Sequence, residues 1–111
     1  MEIIKADDGF QPVNSNPDIQ RKVIHLNDLM VTIIDFHNGP METPDPFHHH
    51  PHEQITYVAA GSLLFFIEEL QYILKAGDSF KVASNLKHSI QTLTEHVRLI
   101  DSFSPIREEF L

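Results

Sequence analysis

From residue 22 onward the chain alternates short apolar runs with turn residues, on a rhythm too short for helices. Lys22–Leu26 and Leu29–Phe36 flank Asn27-Asp28, a pattern that predicts two strands around a tight turn. Residues 37–47 hold Gly39, Pro40, Pro44 and Pro46 and must be loop. Gln54–Ala60 and Leu63–Ile67 flank Gly61-Ser62, which reads as a second tight hairpin. Gln71–Leu74, Ser79–Ala83, His88–Leu93 and Val97–Phe103 complete the predicted strands, separated by Ala76-Gly77-Asp78, Ser84-Asn85 and Thr94–His96. Residues 1–20, with Asp7-Asp8-Gly9 and Pro12, predict an irregular lead-in or edge strand. The tail from Ser104 has room for one turn of helix. No segment keeps a 3.6-residue apolar period over a helical length. Many short strands without helices predict an all-β antiparallel sandwich or jelly-roll-like barrel.

Composition narrows the chemistry. The chain has 111 residues, enough for one domain, and a hydrophobic fraction of 41% supports a buried core. It has no cysteine, so any metal must rest on nitrogen and oxygen ligands. The formal net charge of −8 argues against nucleic acid or an anionic membrane as partner. An anionic small molecule stays compatible, because a site can differ in sign from the whole. No apolar run approaches the roughly 20 residues of a membrane helix. The start MEIIKADDG lacks the basic and apolar segments of a secretory signal, and a cytoplasmic protein is the expectation.

The densest chemistry lies in FHHHPHEQITYVAAG, Phe47 to Gly61, where four of the eight histidines fall within five residues. His48, His50 and Gln54 share parity, so on extended backbone they project to one face, with neighbours roughly 6.6 Å apart. Two imidazoles and an amide oxygen can then converge on one ion. His49 has the opposite parity. His52 shares the ligand parity, and parity alone does not set it aside. His25, His37 and His96 read as surface residues. On the last predicted strand, Val97, Leu99, Asp101 and Phe103 share a face. That face is otherwise apolar, so Asp101 should point into the barrel, where a carboxylate needs a partner or a function. Arg107 follows Pro105 and can fold back over the mouth, and its planar fork suits a carboxylate ligand.

These motifs resemble the cupin superfamily. Its first motif, His-x-His, an acid or amide, then Gly, matches His48, His50, Gln54 and Gly61. Its second, Gly-Asp-x-Phe followed by His, matches Gly77-Asp78-Ser79-Phe80 and His88. The segments HPHEQITYV, KAGDSF and DSFSPIREEF are similar to the small pectin degradation type of cupin. The chain differs from the pattern at Glu42, where a Gly is usual, and at Ala83-Ser84, where a Pro is usual. Both differences fall in loops and bear on loop shape.

The resemblance implies a cupin β-barrel over residues 21–111, commonly a homodimer, with one divalent transition metal in its mouth. It implies His48, His50, Gln54 and His88 as the metal ligands, with His52 outside that set. Nickel, iron, manganese, zinc and copper all suit such donors. Three neutral imidazoles and a neutral amide leave the ion its full charge, which makes it a strong Lewis acid. Relatives of this type convert unsaturated monouronates, an anionic sugar-acid substrate, to a linear keto form. Asp101 would then carry a proton, Arg107 would hold the carboxylate and Phe103 would close one wall. A cupin dioxygenase and a non-catalytic metal- or carbohydrate-binding cupin are the other two readings.

Overall fold

The computed structural model describes residues 1–111. Nine strands follow in order: β1 Gln11–Val13, β2 Asn16–His25, β3 Met30–Phe36, β4 Glu53–Ala60, β5 Ser62–Ile67, β6 Leu70–Lys75, β7 Ser79–Val82, β8 His88–Thr92 and β9 Val97–Ser104. One turn of 3-10 helix, Glu108–Phe110, closes the tail. The strands form a six-stranded antiparallel sheet ordered β1-β2-β3-β9-β4-β7 and a three-stranded one ordered β6-β5-β8. This is the all-β, jelly-roll-like architecture expected from the strand pattern. No helix is long and apolar enough to cross a membrane.

The two sheets pack through alternate residues, as pleated strands require. Phe36, Val58, Leu63, Phe65, Phe80, Val82, Val97 and Leu99 make the core. Phe65 and Phe80 stack across the sheets with ring centroids 3.9 Å apart. The last strand, β9, lies between β3 and β4, so its inward side chains sit deepest. Thr32 of β3 and Thr56 of β4 both register opposite Asp101. That register sets the floor of the site.

The turn at Asn27-Asp28 joins a true hairpin, with His25 paired to Met30 and the Leu26 N–H donating to the Leu29 carbonyl at 2.9 Å. The expected hairpin at Gly61-Ser62 is not one. β4 pairs with β9 and β7, while β5 pairs with β6 and β8. Gly61 is a corner between sheets. Its φ of +79° and its closeness to the His96 carbonyl leave no room for a Cβ, so glycine is required.

The start of the chain holds an edge strand, β1, and differs from its reading in where β2 begins. β2 begins at Asn16, earlier than the Lys22 start, and β1 pairs against it at the sheet edge. The preceding arm is tied down by Lys22, whose Nζ donates to the carbonyls of Lys5 and Ala6 at 2.9 Å each. The same ammonium lies 4.9 Å from the centroid of Phe10. A buried lysine would be costly without those partners.

Candidate metal centre and cavity

The local sequence explains how distant histidines meet. Pro44 and Pro46 keep the long loop extended, and it arrives beside the start of β8. There His48 and His88 form an isolated antiparallel bridge, exchanging backbone hydrogen bonds of 3.0 and 2.9 Å. Their rings lie 4.2 Å apart, and His50 is 5.0 Å from His88 and 5.7 Å from His48. One ring nitrogen from each of His48, His50 and His88 falls within 4.8 Å of the others.

The hydrogen bonds decide which nitrogens carry lone pairs. Nδ1 of His50 faces the His52 carbonyl at 2.9 Å, and Nδ1 of His88 faces the Leu86 carbonyl at 2.8 Å. A carbonyl only accepts, so each Nδ1 carries the proton and each Nε2 keeps its lone pair. On β4, the Gln54 amide donates to Thr56 Oγ1 at 2.8 Å and to Asp101 Oδ1 at 3.4 Å. Its Oε1 is thereby turned toward His50 Nε2, 3.1 Å away. Two lone pairs face each other, an arrangement that a cation between them satisfies. Nε2 of His88 is buried with no hydrogen-bond partner. Burial lowers the pKa of His48 and His50, and that of His88 to about 4, so all three are ready as neutral ligands. This cluster is able to hold a metal ion, and its imidazole and amide donors suit a divalent transition metal. Gln54 lies beside the three histidines through its contact with His50.

His52 is half-buried, with its ring centroid 5.5 Å from that of His50 and its Nδ1 buried without a hydrogen-bond partner, and His49 is exposed. The strand that follows inverts simple expectation. Ile55 and Tyr57 face outward, while Gln54, Thr56 and Val58 face in. Two polar residues on a buried face mark the wall of a site rather than a plain core strand.

Asp101 points inward, as its parity implied. Its Oδ1 accepts from Thr56 Oγ1 at 2.6 Å and its Oδ2 from Thr32 Oγ1 at 3.3 Å. Burial pushes its carboxyl above the usual carboxylate range, although these hydroxyls, the Arg107 charge and the Gln54 amide pull the other way. Phe103 lies edge-on to His50, with centroids 6.0 Å apart, and the Arg107 guanidinium sits 5.3 Å above it. His48, Gln54, His88, Asp101, Phe103 and Arg107 all border one cavity of about 330 Å³. That volume lies within the usual range for small-molecule sites.

A model of the cupin domain matches residues 35–103. The chain belongs to the cupin family. This cupin is 44% identical over 94 residues to the pectin degradation protein KdgF of Dickeya dadantii, covering 84% of each chain. Its structure superposes on that of KdgF from a Halomonas species with a TM-score of 0.83, at 32% identity and 97% coverage of both chains. An RmlC-like cupin from Shewanella frigidimarina superposes equally well, TM-score 0.83 at 28% identity, over 100% of this chain and 97% of that one.

Three residues of the site escape a reading of the sequence alone. Thr32 and Thr56 hold Asp101, and Arg21 of β2 lines the wall. The parity of Thr56 with Gln54 was a usable signal. For Arg21 there was none, because Gln20-Arg21-Lys22 looks like a solvated polar run.

The surface reading of His37 and His96 also needs refinement. Their rings stack at 5.0 Å, and His96 Nε2 lies 2.7 Å from the buried Asp35 carboxylate. Arg98 donates to both Asp35 oxygens, at 2.9 and 2.8 Å. Burial alone would raise the Asp35 pKa, but the bonds from Arg98 and His96 hold it below the usual range. A depressed carboxyl contributes stability that is present above the unfolded pKa and is lost as pH falls through the folded one. Asp35→Asn is therefore expected to lower stability at neutral pH by about 1.5–3 kcal/mol. The lower end applies because the Arg98 and His96 side chains are 41% and 43% exposed. The gap between parent and variant should narrow on acidification below about pH 4. Urea unfolding from pH 7 to 3 measures it, and a gap independent of pH would contradict this account.

Proposed function

We propose that this cupin is a metal-dependent enzyme that converts unsaturated monouronates to their linear keto form. The observation that carries the reading is Asp101: an inward carboxyl with a raised pKa, hydrogen-bonded to the same Gln54 that faces the histidine cluster. The kinship with a pectin degradation protein favours this chemistry over oxygen insertion or passive binding. His48, His50, Gln54 and His88 would hold the divalent ion. When bound, it supplies Lewis-acid polarisation of a sugar oxygen.

The remaining work falls to protein side chains. In the cyclic substrate the anomeric hydroxyl must lose a proton as the ring carbon–oxygen bond breaks, which frees an aldehyde and leaves the former ring oxygen as an enolate. The far carbon of the enolate must then gain a proton while its oxygen-bearing carbon becomes the ketone, so the sum is an isomerisation. Asp101, on the cavity wall, would take the first proton and return the second. Arg107 offers its free terminal nitrogens to the uronate carboxylate, its Nε being engaged by Glu109 at 2.8 Å. Phe103 supplies a flat apolar wall beneath it. Turnover is tested by NMR on unsaturated galacturonate: loss of the ring vinyl signal is expected, and an unchanged spectrum would reject the enzyme assignment.

We further infer that the protein works as a homodimer in the cytoplasm. Ile55 and Tyr57 on β4 and Tyr72 and Ile73 on β6 are exposed large apolar side chains, a surface that association would cover. Light scattering should give about twice the chain mass of 12.7 kDa. A monomer at micromolar concentration would rule the dimer out.

A further inference from the structure

Arg21 stands out among the basic residues of an acidic protein. The chain carries only 8 Lys and Arg against 16 Asp and Glu, and of its three arginines Arg98 and Arg107 pair with carboxylates while Arg21 does not. The ion pairs join Asp35 with His96 and Arg98, and Glu109 with Arg107. Arg21 enters none of them. It is not a solvated surface residue either. Its backbone is held between β1 and β3, opposite Gln11 and Ile34, and its half-buried side chain lines the same cavity as His48, Gln54 and Asp101.

Its neighbours point to an anion. The Arg21 guanidinium lies 3.8 Å from the centroid of Phe110, and the Arg107 guanidinium lies 4.2 Å from the same ring. Two cations share one aromatic ring at the mouth of a cavity. Burial disfavours the Arg21 charge and the Arg107 charge disfavours it further, while the nearby Asp101 and Glu109 carboxylates offset this only in part and form no ion pair with it. A bound anion relieves both effects. Arg107 already commits one donor to Glu109, whereas the whole fork of Arg21 is free. A planar fork with parallel donors fits a carboxylate better than any single oxygen.

We propose that Arg21 is the specificity residue that reads the carboxylate of the sugar acid, forming with Arg107 a two-guanidinium seat for the substrate's acid group. The proposal rests on the sugar-acid reading above and deepens it. Because Arg21 is carried by a paired strand while Arg107 follows β9 in the tail, Arg21 supplies the fixed element of the seat. It fixes which end of the substrate faces the tail, and so which end reaches Asp101 and the histidines.

Calorimetry with two saturated sugars tests this without any reaction. Galacturonate carries the carboxylate and galactose does not, and neither has the double bond needed for turnover. The metal-loaded parent should bind galacturonate in preference to galactose. Arg21→Met keeps the apolar stem and should weaken galacturonate by about 10–100-fold, the range for a lost charged hydrogen bond. Galactose binding and metal content should not change. Arg21→Lys keeps charge and fold, and should recover only part of the galacturonate affinity. It decides the matter if the Met variant does not fold. Equal galacturonate affinity in parent and variants would overturn the proposal, as would a parent that binds the two sugars alike. Parent turnover of unsaturated galacturonate is scored separately. If it turns over while the Arg21 variants keep full discrimination, Arg21 is wrong and the enzyme reading stands. If discrimination depends on Arg21 but nothing turns over, the carboxylate seat stands and the enzyme reading falls.

Discussion

Replacing His48 and His50 together by alanine should strip this cupin of its divalent metal, from stoichiometric to near none by elemental analysis. Two of the three converging imidazoles would be gone, and His88 with Gln54 offers too few donors to hold an ion. The fold itself should survive, because the core residues lie deeper in the barrel and touch neither side chain's role. Apart from the lost packing of His50 and its bond to the His52 carbonyl, stability should respond through the ion. A ligand that binds the folded state alone adds about 2.7 kcal/mol when its concentration is roughly 100 times its dissociation constant. Added nickel or zinc should thus raise the melting temperature of the parent and leave that of the double variant unmoved. Full metal content in the double variant would sink the assignment of these ligands.

Asp101→Asn should keep metal and fold and still lose about 10²–10⁴-fold in rate on an unsaturated uronate. The shapes match: the Asn oxygen can keep the Oδ1 position and accept from Thr56 and Gln54, while the amide nitrogen donates to a turned Thr32 hydroxyl. What the amide cannot do is take and return a proton. The companion change, Arg107→Lys, should act differently: a larger KM with kcat little changed, since a point charge cannot make the bidentate contact. NMR of the ring form over time separates the two. Parent-like turnover by Asp101→Asn would remove Asp101 from the proton-carrying role.

Several features of this molecule were readable along the chain. The period-2 pattern and the frequent turn residues determined an all-β fold, because no other regular structure buries such short alternating runs. Parity put Asp101 on the inner face of β9, since alternation along extended backbone is local, whereas bends at Pro51 and His52 interrupt the run from His48 to Gln54 before β4 begins. The turn at Asn27-Asp28 was equally local. Pairing between strands is not. Gly61 carries the signature of a hairpin turn, yet the partners available to β4 and β5 lie in different sheets, and it becomes a corner. The meeting of His88 with the His48 loop depends on a backbone bridge between residues far apart in sequence. The amide of Gln54 is aimed by Thr56 and Asp101, which only the β4–β9 register brings to it. Arg21 shows the limit most clearly. Within Gln20-Arg21-Lys22 nothing local distinguishes the residue that faces the cavity from the one that pins the N-terminal arm. The register of β2 against β3 turns Arg21 inward and Lys22 outward, and that choice is made by the packing of the whole sheet.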